Sequence, residues 1–345
     1  MESKMINMMK KVARPKRANP LSYLDNLLPI SVDYKQLVQS DYPRIAKTPQ
    51  ICSQIEQATQ QIPTTQRLVL GDARDVLCQL KAKSVHLVLT SPPYWTLKTY
   101  PARGGQLGCI SDYDDFVLAL SKVWSECYRV LVPGGRLAVV VGDVSVRRRV
   151  YGRHLTFPLH ASIEESCRSR GFDNLTPIIW HKYANAVYEA KGRGGFLGKP
   201  YEPNALVKND IEFILLQRKP GENGKREYRK PTVPQRVLSL IPENRHREWF
   251  QSIWYLRGES LQHHPAPFPL ELAERLVRMF SFVGDTVADP FCGIGTTLLA
   301  AGKWGRQGIG IEIEPTYHTF ARFRLISNLP YATVTTEPAK SNLQS

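Results

Sequence analysis

The chain has 345 residues, 42% of them hydrophobic, and a formal net charge of +15. This length allows one large globular domain or two smaller ones, and the charge is typical of proteins that bind polyanions; a charge that serves only solubility is the alternative. The six cysteines have no CxxC spacing, which makes a zinc site unlikely, and most lie in apolar or helical surroundings, which predicts buried thiols in a reducing cytosol. No signal peptide or apolar span of about 18 residues is present, so we expect a soluble, cytoplasmic protein that does not enter a membrane.

The first 66 residues predict a basic arm and a short helix. The arm's lysines and arginines are interrupted by Pro15 and Pro20, which favours a flexible segment able to lie along a phosphate backbone; a tail without a role is the alternative. The short helix is expected over residues 51–62.

Regular alternation begins at residue 67. We predict strands at 67–70 and 85–89, with a helix at 75–80 between them. A helix that ends near Leu131 follows, started by a capping box of Ser111 and Asp114 and terminated by Pro133-Gly134-Gly135. A third strand is predicted at 136–141.

The middle of the chain is less regular. A helix at 157–170 leads to a strand at 176–180, and a second apolar run follows at 211–216. Residues 183–262 are otherwise polar, basic and broken by proline, which indicates an inserted recognition region; a solvated surface loop is the alternative. The chain then predicts a helix from Pro269, a strand at 286–289, a helix at 296–301, a strand at 308–311 and a helix at 317–325. Strands that alternate with helices indicate a doubly wound α/β sheet.

The segment from Thr90 to Trp95 is the first motif that carries chemistry. Pro92 and Pro93 stop the preceding strand, because proline cannot donate a ladder hydrogen bond. Open α/β sheets bind ligands at such strand ends. The Ser91 hydroxyl, free backbone carbonyls and the Tyr94 and Trp95 rings suit a flat ring that bears an amino group; a proline-rich strand exit without function is the alternative.

The second motif runs from Asp289 to Thr296 and is completed by Glu312 at the end of the next strand. A glycine-rich turn with Gly293 and Gly295 lets a ligand approach the backbone, and Glu312 can accept both hydroxyls of a ribose. A dinucleotide site needs a third glycine where this chain has Leu298. The pattern therefore favours a nucleoside without a diphosphate, and S-adenosylmethionine fits; a nicotinamide dehydrogenase is disfavoured.

With these motifs in this order, the chain from residue 67 to residue 325 resembles the β group of DNA amino-methyltransferases. The target-amine motif precedes the recognition region, and the cofactor motif comes last. The resemblance implies a Rossmann-like, circularly permuted, seven-stranded mixed sheet with helices on both faces, one antiparallel hairpin strand and no metal. It also implies that S-adenosylmethionine is held by the following residues: Asp72, His264, Pro265, Phe268, Asp289, Phe291, Gly293, Gly295, Thr296 and Glu312.

The resemblance also assigns the chemistry. Ser91 Oγ and the Pro92 carbonyl would accept the two hydrogens of the target amine, and Tyr94 would stack on the flipped base, with Pro93 completing the catalytic motif. Serine at the first position favours cytosine N4 over adenine N6. Methylation of ring carbon 5 needs a Pro-Cys nucleophile, which is absent from the sequence.

We therefore expect a sequence-specific methyltransferase for double-stranded DNA, acting beside a separate restriction endonuclease. The alternatives are an adenine-N6 enzyme, an RNA methyltransferase or an inactive DNA-binding protein, and monomer and dimer both stay open. The expected units are the arm (1–66), the catalytic half (67–182), the recognition region (183–262, with a hairpin strand at 211–217), the cofactor half (263–328) and a tail (329–345). The expected DNA contacts are Arg147, Arg148, Arg149, Lys225, Arg226, Arg229 and Lys230.

Overall fold

The structure is a computed structural model, and one central sheet organises the part of the chain that it describes. The described residues are 22–28, 37–95, 104–146, 151–182, 203, 207, 209–221, 223–225, 227, 229–259 and 267–339. No helix among them is both long and apolar enough to cross a lipid bilayer.

The strands follow the buried apolar runs of the sequence. Their bounds are β1 Thr64–Leu70, β2 Val85–Thr90, β3 Leu131–Val141, β4 Val144–Val146, β5 Leu155–Phe157, β6 Asp173–His181, β7 Ile211–Arg218, β8 Ile253–Tyr255, β9 Thr286–Asp289, β10 Gln307–Glu312 and β11 Ala332–Pro338. Nine of them form one sheet in the order β11-β1-β10-β9-β2-β3-β7-β6-β8, while β4 and β5 pair separately. Only β7 runs against its neighbours in this sheet.

Helices cover both faces of the sheet. Their bounds are α1 Asp41–Ala46, α2 Pro49–Gln60, α3 Ala73–Cys78, α4 Tyr113–Val130, α5 Leu159–Arg168, α6 Val233–Leu238, α7 Glu243–Trp249, α8 Leu270–Phe280, α9 Thr296–Lys303 and α10 Pro315–Asn328. The apolar sides of α3, α4 and α5 pack in one core cluster, and those of α8 and α9 pack in another. The predicted α/β class is confirmed.

The sheet has two more strands than the seven expected. The expected seven correspond to β1, β2, β3, β6, β7, β9 and β10, and the predicted hairpin strand is β7. The additional strands lie at the two edges of the sheet. β11 pairs with β1 although these residues were expected to be a tail, and β8 pairs with β6 inside the region expected to be an insertion.

Two local predictions around α4 are wrong. Asp112, not Ser111, caps this helix, because its carboxylate accepts the Asp115 N–H at 3.0 Å. The Pro133-Gly134-Gly135 segment lies within β3 rather than before it, as an irregularity in the pairing with β2. Gly134 has a φ of +77°, a conformation that glycine adopts without strain.

Candidate active site

The site lies at one edge of the sheet, where the parallel strands end. Ser91 follows β2, Asp72 follows β1 and Glu312 ends β10, so the sheet brings together residues far apart in the sequence. A cavity at this edge is lined by Gly71, Asp72, Ala73, Ser91, Pro93, Gly105, Gln106, Leu107, Pro290, Phe291, Ile311, Glu312, Ile313 and Tyr317. The two motifs predicted from sequence therefore border one cavity.

Most of the motif after β2 is buried, but Ser91 borders the cavity. Pro92, Pro93 and Tyr94 are buried, while Ser91 is half-buried. The Ser91 hydroxyl donates to the Tyr94 hydroxyl over 3.5 Å, at the long limit for a hydrogen bond. This weak contact leaves the Ser91 oxygen able to accept hydrogen bonds from a ligand.

Trp95 does not present an aromatic face to the site. Its ring is 1% exposed and packs edge-on against Tyr113 and Phe157, with centroids 5.2 and 4.8 Å away. Its backbone has a φ of +43°, a left-handed conformation uncommon outside glycine. The turn at Trp95 therefore directs this ring into the core and leaves Tyr94 as the aromatic residue of the motif.

A buried hydrogen bond ties the two motifs together. Thr90 Oγ1 donates to Asp289 Oδ1 at 2.6 Å, and the Phe291 N–H donates to the same oxygen at 3.0 Å. Burial raises the pKa of Asp289 to about 6, although these hydrogen bonds and one from Thr297 oppose the increase. Asp289 therefore joins the end of β2 to the cofactor turn from behind the cavity.

Glu312 is held by the backbone of the turn that it faces. One carboxylate oxygen accepts the Gly293 N–H at 2.7 Å, and the other accepts the Glu314 N–H at 2.8 Å. Burial raises the pKa of Glu312 to about 7, and the backbone N–H groups of Glu314, Gly293 and Ile313 limit the increase. A carboxylate oxygen has two lone-pair sites, so each oxygen keeps one acceptor position for a ligand hydroxyl.

Asp72 occupies the opposite side of the cavity and is already engaged. Its side chain caps α3 by accepting the Arg74 N–H at 2.8 Å, and the Arg74 guanidinium contacts Asp72 Oδ2 at 2.5 Å. The same guanidinium donates to the Gly105 carbonyl at 3.3 Å. Gly105 itself lies so close that a Cβ there would be 2.5 Å from the Asp72 carboxylate. The cavity volume is only about 50 Å³, because this contact brings the segment at 104–107 against α3.

The glycine turn begins α9 and is braced from α10. Gly293 and Gly295 have φ values of +52° and +81°, which explains the two glycines of the motif. Arg324 donates to the Ile294 carbonyl at 3.1 Å and to Thr296 Oγ1 at 2.8 Å. Burial raises the pKa of the Cys292 thiol in this turn well above its usual value, so the thiol stays protonated and is a packing group.

The wall beside Tyr94 is formed by the ends of β3 and β7. A Cβ on Gly142 would lie 3.4 Å from Tyr94 Cε1 and 3.1 Å from Glu212 Cγ, so a side chain at 142 would crowd both neighbours. Glu212 forms a partly buried ion pair with Lys182. This edge thus carries a charged pair next to the aromatic ring of the target motif.

The cofactor-binding residues predicted from sequence divide into groups. Asp72, Phe291 and Glu312 line the cavity; Gly293, Gly295 and Thr296 shape its turn. Phe268 is instead buried in the second core cluster, and Asp289 lies behind the cavity. His264 and Pro265 lie outside the described residues.

Sequence reasoning missed several lining residues. Ile313 follows Glu312 directly and Tyr317 lies five residues after it, so both could have been found from the position of Glu312 at a strand end. The sequence analysis included Thr90 in the motif but did not predict its hydrogen bond to Asp289. The Thr90–Asp289 bond joins residues 199 positions apart, and no local pattern indicates it.

Two of the predicted DNA-binding residues that the structure describes, Lys225 and Arg229, do not lie at this edge. Arg147, Arg148, Arg149 and Arg226 lie outside the described residues. The Lys225 carbonyl accepts a hydrogen bond from the Gly221 N–H. The loop that contains Lys225 packs over Gly134, near the start of β3. Arg229 pairs with Asp285, the residue before β9. Lys225 and Arg229 thus lie at the edge of the sheet opposite Ser91, and a role in DNA binding stays a prediction for all seven residues.

The cavity chemistry fits S-adenosylmethionine. Its apolar walls, Phe291, Ile313 and Tyr317, suit the faces of an adenine ring. The Glu312 carboxylate has acceptor positions for two ribose hydroxyls, and a site with two nearby carboxylates suits a cation. The buried carboxylate of Glu312, held against the Gly293 N–H, is the feature on which this fit depends.

Comparison with known proteins identifies the family. The family model for N6 and N4 methyltransferases, described as DNA methylase, matches residues 85–323. The chain belongs to this DNA methylase family. Type II methyltransferase M.MjaI from Methanocaldococcus jannaschii is 37% identical over 281 residues, which cover 73% of this chain and 88% of that protein. DNA adenine methyltransferase YhdJ from Escherichia coli K12 is 30% identical over 261 residues, or 72% and 79% of the two chains.

A solved structure supports the cofactor. TTHA0409 from Thermus thermophilus, a putative DNA modification methylase in complex with S-adenosyl-L-methionine, has a TM-score of 0.67 and 49% sequence identity. The match covers 81% of this chain and all of that one. The methylase described here is therefore an S-adenosylmethionine-dependent DNA methyltransferase.

Proposed function

We propose that this methylase modifies the exocyclic N4 amine of a cytosine flipped out of double-stranded DNA. The observation that carries the proposal is the Ser91 hydroxyl at the end of β2, in the same cavity as Glu312. The resemblance to the β group implies that serine at the start of the motif favours cytosine N4 over adenine N6. The enzyme's relatives include type II methyltransferases, so we also propose that it protects DNA against a separately acting restriction endonuclease.

The chain's own groups would activate and orient the amine. Its nitrogen is a weak nucleophile because its lone pair is delocalised into the ring. Ser91 Oγ and the Pro92 carbonyl would accept its two hydrogens and draw it towards tetrahedral geometry. Tyr94 would hold the base by stacking, worth about 1–3 kcal/mol per base. The rigid proline turn would align the amine nitrogen with the methyl group, and alignment contributes most of the rate acceleration in such a site.

S-adenosylmethionine supplies an electrophilic methyl group on a sulfonium sulfur. As the new carbon–nitrogen bond forms, the carbon–sulfur bond breaks, and the amine then releases one of its two protons. Glu312 would accept hydrogen bonds from the ribose hydroxyls, and Asp72 would accept one from the adenine amine. Arg74 would either share the Asp72 carboxylate with the amine or give up its contact with it. The roles of His264, Pro265 and Arg147–Arg149 in holding the cofactor and DNA are part of the same proposal.

Adenine N6 is the second candidate target, and a specific observation favours it. The relative from Escherichia coli that is 30% identical is named as an adenine methyltransferase. Both bases present an amine next to a ring nitrogen, so the same motif can serve either one. No comparable observation favours RNA or an inactive protein.

The test is to express the methylase in a host that lacks DNA methylation and to quantify modified nucleosides by mass spectrometry. 4-Methylcytosine is expected, and 6-methyladenine in its place would refute the base assignment. Ser91→Ala and Tyr94→Ala should abolish most of the product, while Tyr331→Ala, at an exposed tyrosine, is the matched control. Sequencing the modified DNA gives the recognition site. Modification without any sequence preference would refute the restriction role.

A further inference from the structure

A second cavity lies at the edge of the sheet opposite Ser91. Its volume is about 680 Å³, within the range of about 300–1,000 Å³ that is usual for small-molecule sites. Helix α1, the segment around α6 and the turn after α8 enclose it. Methyl transfer does not explain this cavity, because the Glu312 and Ser91 side chains lie at the other ends of the strands.

The cavity combines an apolar floor with a cationic wall. The apolar part includes Leu240, Ile241, Met279 and Phe280. Among the described residues, six cationic side chains line the wall, against two carboxylates, Glu227 and Glu243; the six are Lys47, Arg136, Arg218, Arg229, Arg236 and Arg278. This composition favours a ligand with an apolar body and a negative charge.

Three of these arginines are oriented by carboxylates that do not line the cavity. Arg218 pairs with Asp173, Arg229 with Asp285, and Arg278 with Glu56. Each pair uses only some of the five N–H donors of the guanidinium group. The pairs therefore hold the wall in place, but they also compensate part of its charge.

Arg236 is held differently, by neutral groups. Its Nη2 donates to the Gln39 side-chain carbonyl, and its guanidinium lies 4.0 Å from the centroid of the Tyr42 ring. Helix α6 is itself anchored by a capping box of Thr232 and Gln235. A cation fixed by an amide and a ring keeps its charge and its planar fork for an anion.

We propose that this cavity binds a small phosphate-bearing organic anion of the mononucleotide class, with its phosphate on Arg236. The apolar part of the ligand would contact Leu240 and Met279. Part of the region 183–262 that the sequence predicts to be basic contributes to this site, together with α1. It is separate from both the cofactor cavity and the target-base motif.

The probe is uridine 5′-monophosphate, which lacks the adenosine that the cofactor cavity fits. Calorimetry on the full-length protein saturated with S-adenosylhomocysteine should show one site with micromolar affinity. Arg236→Gln should weaken binding at least tenfold and Arg236→Lys by less, because the charge is kept and the fork is lost. Arg168→Gln, at an exposed ion pair on α5, should bind like the wild type.

Specific results would overturn the proposal. These are equal affinity of wild type and Arg236→Gln when both unfold at the same temperature, displacement of the probe by S-adenosylhomocysteine, and inorganic phosphate binding as tightly as the nucleotide. If the nucleotide does not bind, but an acidic peptide or duplex DNA binds to the wild type and not to Arg236→Gln, the cavity is a site for a macromolecule instead. Methylation by Arg236→Gln without nucleotide should stay within twofold of the wild type, which separates this test from that of the proposed function.

Discussion

Glu312 should make cofactor binding depend on pH near neutrality. Burial raises the pKa of its carboxyl to about 7 in the free protein. Below that pH the carboxyl is protonated, and one of its oxygens carries a hydrogen in place of an acceptor position. Above it, both oxygens can accept ribose hydroxyls while keeping their bonds to Gly293 and Glu314. Affinity for S-adenosylmethionine should therefore rise as the pH increases.

The size of the effect follows from the pKa. If only the carboxylate form binds, a pKa near 7 reduces the affinity about tenfold between pH 8 and pH 6. Glu312→Gln keeps the shape but removes the charge, so a ribose hydroxyl can no longer donate to a carboxylate. Hydrogen bonds to a charged group are worth about 1.5–3 kcal/mol each, so losing one should weaken binding roughly 10- to 150-fold. The variant should also lose most of the pH dependence.

Isothermal titration of S-adenosylmethionine at pH 6, 7 and 8 measures both effects. Asp289, whose pKa burial raises to about 6, also titrates in this range, and the slope that persists in Glu312→Gln belongs to it. Glu337→Gln, on edge strand β11, is the control and should retain the wild-type profile. A wild-type affinity that is constant or falls with pH, or a Glu312→Gln variant that binds as tightly as the wild type at pH 8, would refute the reasoning.

Three further outcomes are expected. Ser91→Ala should lower kcat about 100-fold with cofactor affinity within threefold, measured by single-turnover methylation; a loss confined to cofactor affinity would contradict its role. Thr90→Val should lower the free energy of unfolding in urea by about 1–3 kcal/mol at pH 8, because buried Asp289 loses a donor. The cost should be smaller at pH 5, where that carboxyl is protonated, and a larger cost there would count against the argument. Arg324→Gln should raise KM for the cofactor about tenfold with kcat unchanged, and Arg324→Lys should restore part of it; an unchanged KM would show that Thr296 needs no brace.

The sequence predicts the central strands well because their signals are local. β2, β9 and β10 are short apolar runs that end at a proline-containing turn or at an acidic residue, and the structure places their ends within one residue of the predictions. Parallel strands end at one edge of a sheet, so the sequence alone predicts that Ser91 and Glu312 lie at the same site. The edge strands carry no such signal. β11 is half exposed and polar, and β8 has three residues, so neither shows a buried run.

The position of the basic residues that follow β7 has a topological cause. Because β7 is antiparallel to β3 and β6, the chain that leaves it at Arg218 emerges at the edge opposite Ser91. Lys225, Arg229 and Lys230 come soon after Arg218 in the chain, and charge composition alone does not indicate at which edge of the sheet they lie. The direction of the hairpin strand, predicted correctly, already implied it. For the same reason β6 ends at the catalytic edge, at His181, and β7 begins there, at Ile211. We therefore propose that target recognition belongs to the segment of the inserted region that connects these two residues.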